Sequence, residues 1–167
     1  MTTFNDPPLQ PSWRFLLSHP AHFLSFGFGS GLARKAPGTF GTLVGFPMYW
    51  FLEPRLSNAM FVLALIFSFA IGVWVCDVTG KALGVADHGG MVWDEIVAFV
   101  LVLFFTPPGW EWSLLAFVLF RFFDIAKPPP IRYFDSNWHG GLGVMFDDLL
   151  AAGYALLCMA LVKSLLS

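Results

Sequence analysis

Long apolar segments alternate along the chain with short polar or glycine-rich interruptions, a pattern that predicts a helical protein. Residues 56–76 carry no charge and would rise about 31 Å as a helix, enough to cross a bilayer core of about 30 Å. Residues 96–110, 112–120 and 149–162 are also apolar, but they are shorter or adjoin acidic residues. Each of these three segments is either a further membrane-spanning helix or a half-buried one.

The interruptions indicate where the helices end. Breaks are predicted at Pro37-Gly38, at Pro54 and across residues 84–90, 106–109 and 128–143. Glycines with Pro47 are also expected to interrupt residues 39–52. Lys127 precedes a proline, so its helix should end near Ala126. Without strand-like alternation, the pattern predicts an all-α fold, a compact bundle of five to six mostly apolar helices embedded in a membrane or associated with one.

Composition supports lipid contact. Hydrophobic residues make up 57% of the chain and charged residues 12%, about half the charged fraction of a typical soluble domain. The alternative is a small soluble protein that hides its apolar faces in an oligomer, and the sequence does not fix the oligomeric state.

We predict a polar N-terminal segment, residues 1–20, and one helical domain, residues 21–167. The net charge of −2 argues against a nucleic-acid partner.

Familiar motifs of phosphate chemistry are missing from the sequence. Cys76 and Cys158 begin no Cys-x5-Arg loop and have no metal-binding spacing, so both thiols are predicted to be buried and inert. Residues 26–43 are rich in glycine but lack the Gly-Lys-Ser/Thr of a nucleotide-binding loop. This segment is either an anion cradle of backbone N–H groups, with Thr39 nearby, or a site of close helix packing.

Acidic residues occur within apolar surroundings, where an uncompensated charge is very costly. They form two pairs and one single residue: Asp94 with Glu95, Asp147 with Asp148, and Asp124. Oxygen ligands suit a hard cation such as Mg²⁺, so a metal site between helices is one interpretation. The other is that the pairs lie in first helical turns, where the helix dipole favours acids. Asp124 does not fit that alternative, because it lies near the C-terminal end of its predicted helix, where the helix dipole disfavours an anion.

Two basic residues accompany Asp124 on the same predicted helix. Arg121, Asp124 and Lys127 follow one another at intervals of three, which places them within an arc of about 120°. A guanidinium fork and an amine together suit phosphate oxygens. The alternative is a local salt bridge between Arg121 and Asp124, with Lys127 reaching for the membrane interface.

Two segments of the chain resemble each other and suggest an internal repeat of helical hairpins. Each has an Asp and a Lys near a helix end, a glycine loop with a histidine, and then a pair of acids: Asp77, Lys81, His88 and Asp94-Glu95 in one, Asp124, Lys127, His139 and Asp147-Asp148 in the other. If they are related, their acid-bearing ends should converge and bring Asp94 close to Asp147. For both histidines we favour a local hydrogen bond over a role in the site.

Taken in order, these motifs resemble the bacterial phosphatidylglycerophosphatase A family over about residues 20–165. The matching segments are Gly29-Ser30-Gly31, Pro37-Gly38-Thr39-Phe40-Gly41-Thr42-Leu43, Val92-Trp93-Asp94-Glu95-Ile96, Phe120-Arg121-Phe122-Phe123-Asp124-Ile125-Ala126-Lys127-Pro128, Pro130-Ile131-Arg132, and His139-Gly140-Gly141 through Asp147-Asp148.

The resemblance implies a Mg²⁺-dependent phosphatase of the bacterial inner membrane that converts phosphatidylglycerophosphate to phosphatidylglycerol. We expect the active site on the cytoplasmic face, with substrate and membrane lipid as partners. The predicted roles are these: catalytic, Asp94, Asp124 and Asp147; metal ligands, Asp94, Glu95, Asp124, Asp147 and Asp148; phosphate binding, Arg121, Lys127, Thr39 and Lys81. Two alternatives remain, a membrane transporter of ions or anions that uses the buried acids and a non-catalytic membrane scaffold.

Overall fold

The computed structural model describes residues 11–166, and the regular structure of this part of the chain is entirely helical. This confirms the all-α prediction. The α-helices are α1 (Trp13–Leu16), α2 (Pro20–Ser25), α3 (Pro37–Leu52), α4 (Asn58–Leu83), α5 (Trp93–Phe105), α6 (Trp110–Ala126), α7 (Ile131–Asn137) and α8 (Gly141–Leu166).

The predicted number of five to six helices matches only the long ones, α3, α4, α5, α6 and α8. The short helices α1, α2 and α7 were missed because a segment of four to seven residues is too short to show a helical period. Two 3-10 turns, Gly27–Leu32 and Glu53–Arg55, join neighbouring helices. Half of the predicted polar segment, residues 1–10, lies outside the described residues, and α1 lies in the other half.

Helix α5 is the centre of the bundle. One side of α5 contributes Ile96 and Val100 to a core shared with α2 and α4, and its other side contributes Phe99 and Leu103 to a core shared with α6 and α8. Burial on both sides explains why α5 is almost uniformly apolar after its first turn. The two acids of that first turn are therefore held on a rigid, buried element.

Helix α3 is continuous from Pro37 to Leu52, so the prediction that glycines and Pro47 interrupt it was wrong. Added Cβ atoms at Gly41 and Gly45 would come within 2.5 Å of Val92 and 2.8 Å of Phe99, respectively. The glycines thus let α3 pack tightly against α5. That packing maintains the helix although Pro47 lacks a backbone N–H donor.

Helices α4 and α8 are both long and apolar enough to cross a membrane, judged by length and composition. With 26 residues each, they rise about 39 Å. Large apolar side chains on their outer faces are exposed, among them Leu63 and Phe67 on α4 and Leu157 and Leu161 on α8. Such faces are consistent with membrane association. Helix α8 starts well before residue 149, because Gly141 and Gly143 pack against backbone carbonyls of Val73 and Trp138.

Candidate active site

Carboxylates from two helices meet at one end of α5. Asp94 and Glu95 lie in the first turn of α5, and Asp148 lies in the second turn of α8, whose first turn holds no acid. One oxygen from each of these three side chains lies within 4.8 Å of the others. The two predicted acid pairs therefore converge, with Asp148 in contact with the α5 pair. A first-turn dipole cannot explain Asp148, since that effect falls off within one turn.

The carboxylate cluster, defined as Asp94, Glu95 and Asp148, contains oxygens without partners. Asp94 is 7% exposed and Asp148 is 3% exposed. Asp94 Oδ1, Glu95 Oε2 and Asp148 Oδ2 are buried and have no hydrogen-bond partner among the described residues. Such oxygens are costly to leave unsatisfied, and they are the ligand type that Mg²⁺ takes. The residues at this position therefore fit a hard divalent cation.

The charges of the cluster repel one another. Burial first, and then the Glu95 carboxylate, raise the pKa of Asp94 well above its usual range. Burial and the Asp124 carboxylate raise the pKa of Glu95 to about 8, although Arg121 acts in the opposite direction. At neutral pH, the cluster without a cation would therefore hold protons. A bound metal ion would displace those protons.

Arg121 closes one side of the cluster. Its Nη1 lies 2.5 Å from Asp124 Oδ2 and 3.6 Å from Glu95 Oε1. The same nitrogen donates to the Thr42 hydroxyl at 3.3 Å, and that hydroxyl donates to the Gly38 carbonyl at 2.9 Å. The predicted alternative, a salt bridge between Arg121 and Asp124, is present, but Glu95 makes this ion pair part of the site.

The start of α3 is seated on this ion network. A Cβ atom added at Gly38 would collide with Glu95 Oε1 and lie 3.0 Å from Arg121 Nη2. Thr39, the predicted phosphate ligand, is half-buried, whereas the fully buried hydroxyl is that of Thr42. Gly38 and Thr42 were not predicted as site residues. Their spacing of one helical turn was the available signal.

Lys127 does not lie on the same face of α6 as Arg121, contrary to the prediction. It caps α6 in the left-handed region, at φ 42°, and its amine reaches Asp135 on α7 and Asp147 on α8, both at 2.5 Å. Burial alone would lower the pKa of Lys127, but the hydrogen bonds to both carboxylates raise it above its usual value. The predicted arc of 120° was wrong here because a helix was assumed through residue 127.

Asp147 is thus held by Lys127, beside the carboxylate cluster. Its other oxygen, Oδ1, is buried without a partner among the described residues. A cavity of about 50 Å³ next to it is lined by Asp87, Asp135 and His139, and burial raises the pKa of Asp87. Neither Asp87 nor Asp135 was predicted as a site residue, although both lie in the two similar segments.

Lys81, another predicted phosphate ligand, pairs with an acid outside the carboxylate cluster. Its side chain is 76% exposed and pairs with Asp77 at 2.6 Å, one turn away on α4. The second similar segment has no such surface pair, since Lys127 bridges α7 and α8 instead. Among the histidines, His88 accepts a local hydrogen bond from the Gly90 N–H at 3.0 Å, as favoured.

Both cysteines are free; Cys76 is buried and Cys158 is partly buried. Cys76 contacts the Ser25 hydroxyl at 3.8 Å and lies in the core between α2, α4 and α5. A thiol packed in this way is a small apolar side chain rather than a nucleophile.

The structure combines an apolar helical bundle with buried acids that lie next to an arginine and a lysine. Together, these features indicate a class of protein. The acids suit a cation, the two bases suit an anion, and the apolar outer faces suit lipid. This combination fits an enzyme that acts on the phosphate of a membrane lipid.

Comparison with known proteins identifies the family. Residues 23–163 match the family model of phosphatidylglycerophosphatase A. The Haemophilus influenzae protein "Phosphatidylglycerophosphatase A" is 44% identical over 92% of this chain and 94% of its own length. Its Escherichia coli namesake is 44% identical over 83% of this chain and 80% of its own. A Bacteroides thetaiotaomicron protein described as "Putative phosphatidylinositol-3-phosphatase" is 37% identical over 82% and 89%. No solved structure matches the chain.

The chain therefore belongs to the phosphatidylglycerophosphatase A family, as its motifs predicted, and it is a phosphatase that acts on a phosphate monoester. The alternative of an ion or anion transporter receives no support from these relatives. The bacterial relatives and the two long apolar helices are consistent with association with a membrane.

Proposed function

We propose that this phosphatase hydrolyses phosphatidylglycerophosphate to phosphatidylglycerol and inorganic phosphate during phospholipid biosynthesis, and that it depends on Mg²⁺. The observation that carries this proposal is the convergence of Asp94, Glu95 and Asp148, from two helices, with buried oxygens that lack partners. The printed names of the Haemophilus and Escherichia relatives support the choice of substrate.

Magnesium would be held by Asp94, Glu95 and Asp148, with Asp124 and Asp147 as the further predicted ligands. When bound, Mg²⁺ supplies positive charge that stabilises the charge developing on phosphate oxygens. The donor set is all oxygen, which suits Mg²⁺ better than a softer metal.

The two partly buried bases would bind the substrate phosphate. Arg121 presents a guanidinium beside Glu95, and Lys127 presents an amine that contacts Asp147. Each base is at present paired with acids, so we infer that phosphate oxygens replace some of those contacts when substrate binds. Thr39 and Lys81 stay secondary candidates because neither contacts the carboxylate cluster in the described structure.

A carboxylate near the phosphate would accept the proton of the attacking nucleophile. Asp94, Asp124 and Asp147 are the proposed catalytic residues. Of these, Asp94 has a buried oxygen without a hydrogen-bond partner and lies in the carboxylate cluster rather than in an ion pair. Asp124 and Asp147 are balanced by Arg121 and Lys127, which favours a supporting role in placing those bases.

The proposed location is the bacterial inner membrane, with the active site on its cytoplasmic face. Support comes from α4 and α8, which are long and apolar enough to span a bilayer, and from a site that must meet a charged headgroup while acyl chains stay in lipid. Accordingly, the partners are the phospholipid substrate and membrane lipid.

A phosphate-release assay tests substrate and metal together. Purified protein in detergent micelles is given phosphatidylglycerophosphate or phosphatidylinositol 3-phosphate, with Mg²⁺ or with EDTA. We expect Mg²⁺-dependent release from phosphatidylglycerophosphate at a clearly higher kcat/KM. A preference for the inositol lipid, which the name of the Bacteroides relative suggests for that protein, would contradict the proposed substrate. Full activity in EDTA would contradict the proposed metal.

A further inference from the structure

An apolar groove leads away from the carboxylate cluster along α5. On α5 it is lined by Asp94, Val97, Ala98, Leu101 and Phe105. These positions follow the spacing of three and four residues that defines one face of a helix. Asp94 is the polar end of this stripe and also belongs to the cluster. The groove therefore begins at the proposed phosphate site and is apolar from there onward.

The other walls of the groove are the two helices that are long enough to span a membrane. Helix α4 contributes Val62, Leu65, Ile66 and Phe69, again one helical face, and α8 contributes Leu149, one residue after the cluster's Asp148. The groove encloses about 310 Å³. Because α4 and α8 present apolar outer faces, we expect a molecule to enter the groove from the lipid side rather than from water.

Helices α4 and α5 run in opposite directions along the groove. The Trp93 indole N–H donates to the Ser68 carbonyl at 3.1 Å, beside the cluster, and the Phe61 and Phe104 rings stack at 4.7 Å at the far end. From Asp94 to Phe105 the groove extends about 16 Å. That length is about half of a bilayer core of about 30 Å, which is the depth that one acyl chain occupies in one leaflet.

From this geometry we infer that the groove binds one acyl chain of the phospholipid substrate while its phosphate lies at the carboxylate cluster. The inference rests on the proposed function and adds the site that holds the lipid tail. Continuity between Asp94 and the apolar stripe selects this occupant, since only a molecule with a phosphate at one end and a hydrocarbon chain of this length matches both parts.

Val62 and its neighbour Leu63 provide matched variants. Val62 lines the far end of the groove, seven residues or about 10 Å along α4 from Phe69, and is 41% exposed, whereas Leu63 lies outside the groove and is 59% exposed. Val62→Trp fills the groove, and Leu63→Trp adds the same side chain to the outer face. Thermal unfolding of both variants establishes that each one is folded.

The kinetic test compares phosphatidylglycerophosphate with palmitoyl chains and with butyryl chains, in mixed micelles of fixed composition. Val62→Trp should lower kcat/KM for the palmitoyl lipid about tenfold, which corresponds to displacing about two methylene groups. The butyryl lipid, whose chains end before Val62, should change less than about twofold, and Leu63→Trp should affect neither lipid. Equal losses for both lipids, or equal losses in both variants, would overturn the inference.

Photolabelling provides a readout that does not need hydrolysis. Phosphatidylglycerophosphate with a photoactivatable diazirine in its acyl chain should label the groove-lining residues in wild-type protein, and the label should decrease in Val62→Trp. The expected sites are Val62, Leu65, Ile66 and Phe69 on α4 and Val97, Leu101 and Phe105 on α5. If wild-type protein hydrolyses neither lipid, the proposed function fails, and labelling alone decides the groove. Label spread evenly over the outer faces of α4 and α8 would overturn the acyl-chain site.

Discussion

Replacing Gly38 by alanine should damage activity far more than stability. The added methyl group would collide with Glu95 Oε1 and would lie 3.0 Å from Arg121 Nη2. Both atoms are at the ends of long side chains, which can move aside at small cost. Overpacking of a core costs about 1–3 kcal/mol, and a better helix propensity of alanine offsets part of that cost. We therefore expect the free energy of unfolding to fall by no more than about 2 kcal/mol.

The activity loss follows from where those side chains must move. Glu95 would be pushed from Asp94 and Asp148, and Arg121 would shift from its contacts with Thr42 and Asp124. A displacement of about 1 Å in an active site can lower the rate about 100-fold. We expect Gly38→Ala to lower kcat/KM for phosphatidylglycerophosphate by a factor between about 10 and about 100 and to weaken Mg²⁺ binding.

Gly153→Ala is the matched control. Gly153 lies within α8, and an added Cβ would meet nothing within 4 Å. Alanine is favoured over glycine in a helix interior by about 1 kcal/mol, so this variant should be slightly more stable and fully active. Folded Gly38→Ala protein with wild-type kcat/KM and Mg²⁺ affinity would refute the reasoning, because Glu95 and Arg121 would then not need their observed positions.

Three further predictions concern charge. Arg121→Met leaves Asp124 and Glu95 without their buried partner and should lower the free energy of unfolding by about 3 kcal/mol in chemical denaturation; a loss below about 1 kcal/mol would contradict the buried network. Lys127→Met should abolish most phosphate release, whereas Lys81→Met, which breaks an exposed pair, should change stability and activity little; equal effects would argue against Lys127 as a site residue. In the folded state the pKa of the Glu95 carboxyl is about 8, against a usual value of 4.5. Without metal, protonation of Glu95 therefore stabilises the folded state at low pH. This contribution to the free energy of unfolding declines as the pH rises from about 4.5 to about 8. Mg²⁺ binding, measured calorimetrically, should accordingly tighten over pH 6 to 8 and release protons, and a pH-independent affinity would speak against Glu95 as a ligand.

Much of the fold could be predicted because the bundle is apolar and its breaks are marked. Lys127 before a proline gave the end of α6 at Ala126, and the uncharged segment 56–76 gave most of α4. The continuity of α3 could not be predicted, because it depends on Gly41 and Gly45 meeting α5, which is a tertiary contact. Local propensity argued for a break there, and packing against α5 overrode it.

The acidic residues of the candidate site could be predicted from the sequence, whereas the residues that contact those acids were predicted less well. Buried carboxylates stand out in a sequence with so few charges, so Asp94, Glu95 and Asp148 were identified as candidates and do converge. The roles of Gly38 and Thr42 depend on how α3 meets α5 and α6. Their spacing of one helical turn places them on one face of α3, but it does not show which helix that face meets. Lys127 pairs with α7 and α8 because the chain turns left-handed at its own position, a turn that the predicted helical arc ignored.

We propose that Asp94, Glu95 and Asp148 together form the metal site of this lipid phosphatase. The most direct test measures Mg²⁺ binding and phosphate release from phosphatidylglycerophosphate for Asp148→Asn, with Asp77→Asn as the control on an exposed salt bridge. Both variants should fold, because asparagine keeps the shape of aspartate. We predict that Asp148→Asn loses Mg²⁺ binding and phosphate release together while Asp77→Asn keeps both. Wild-type Mg²⁺ affinity and release in folded Asp148→Asn protein would contradict the account.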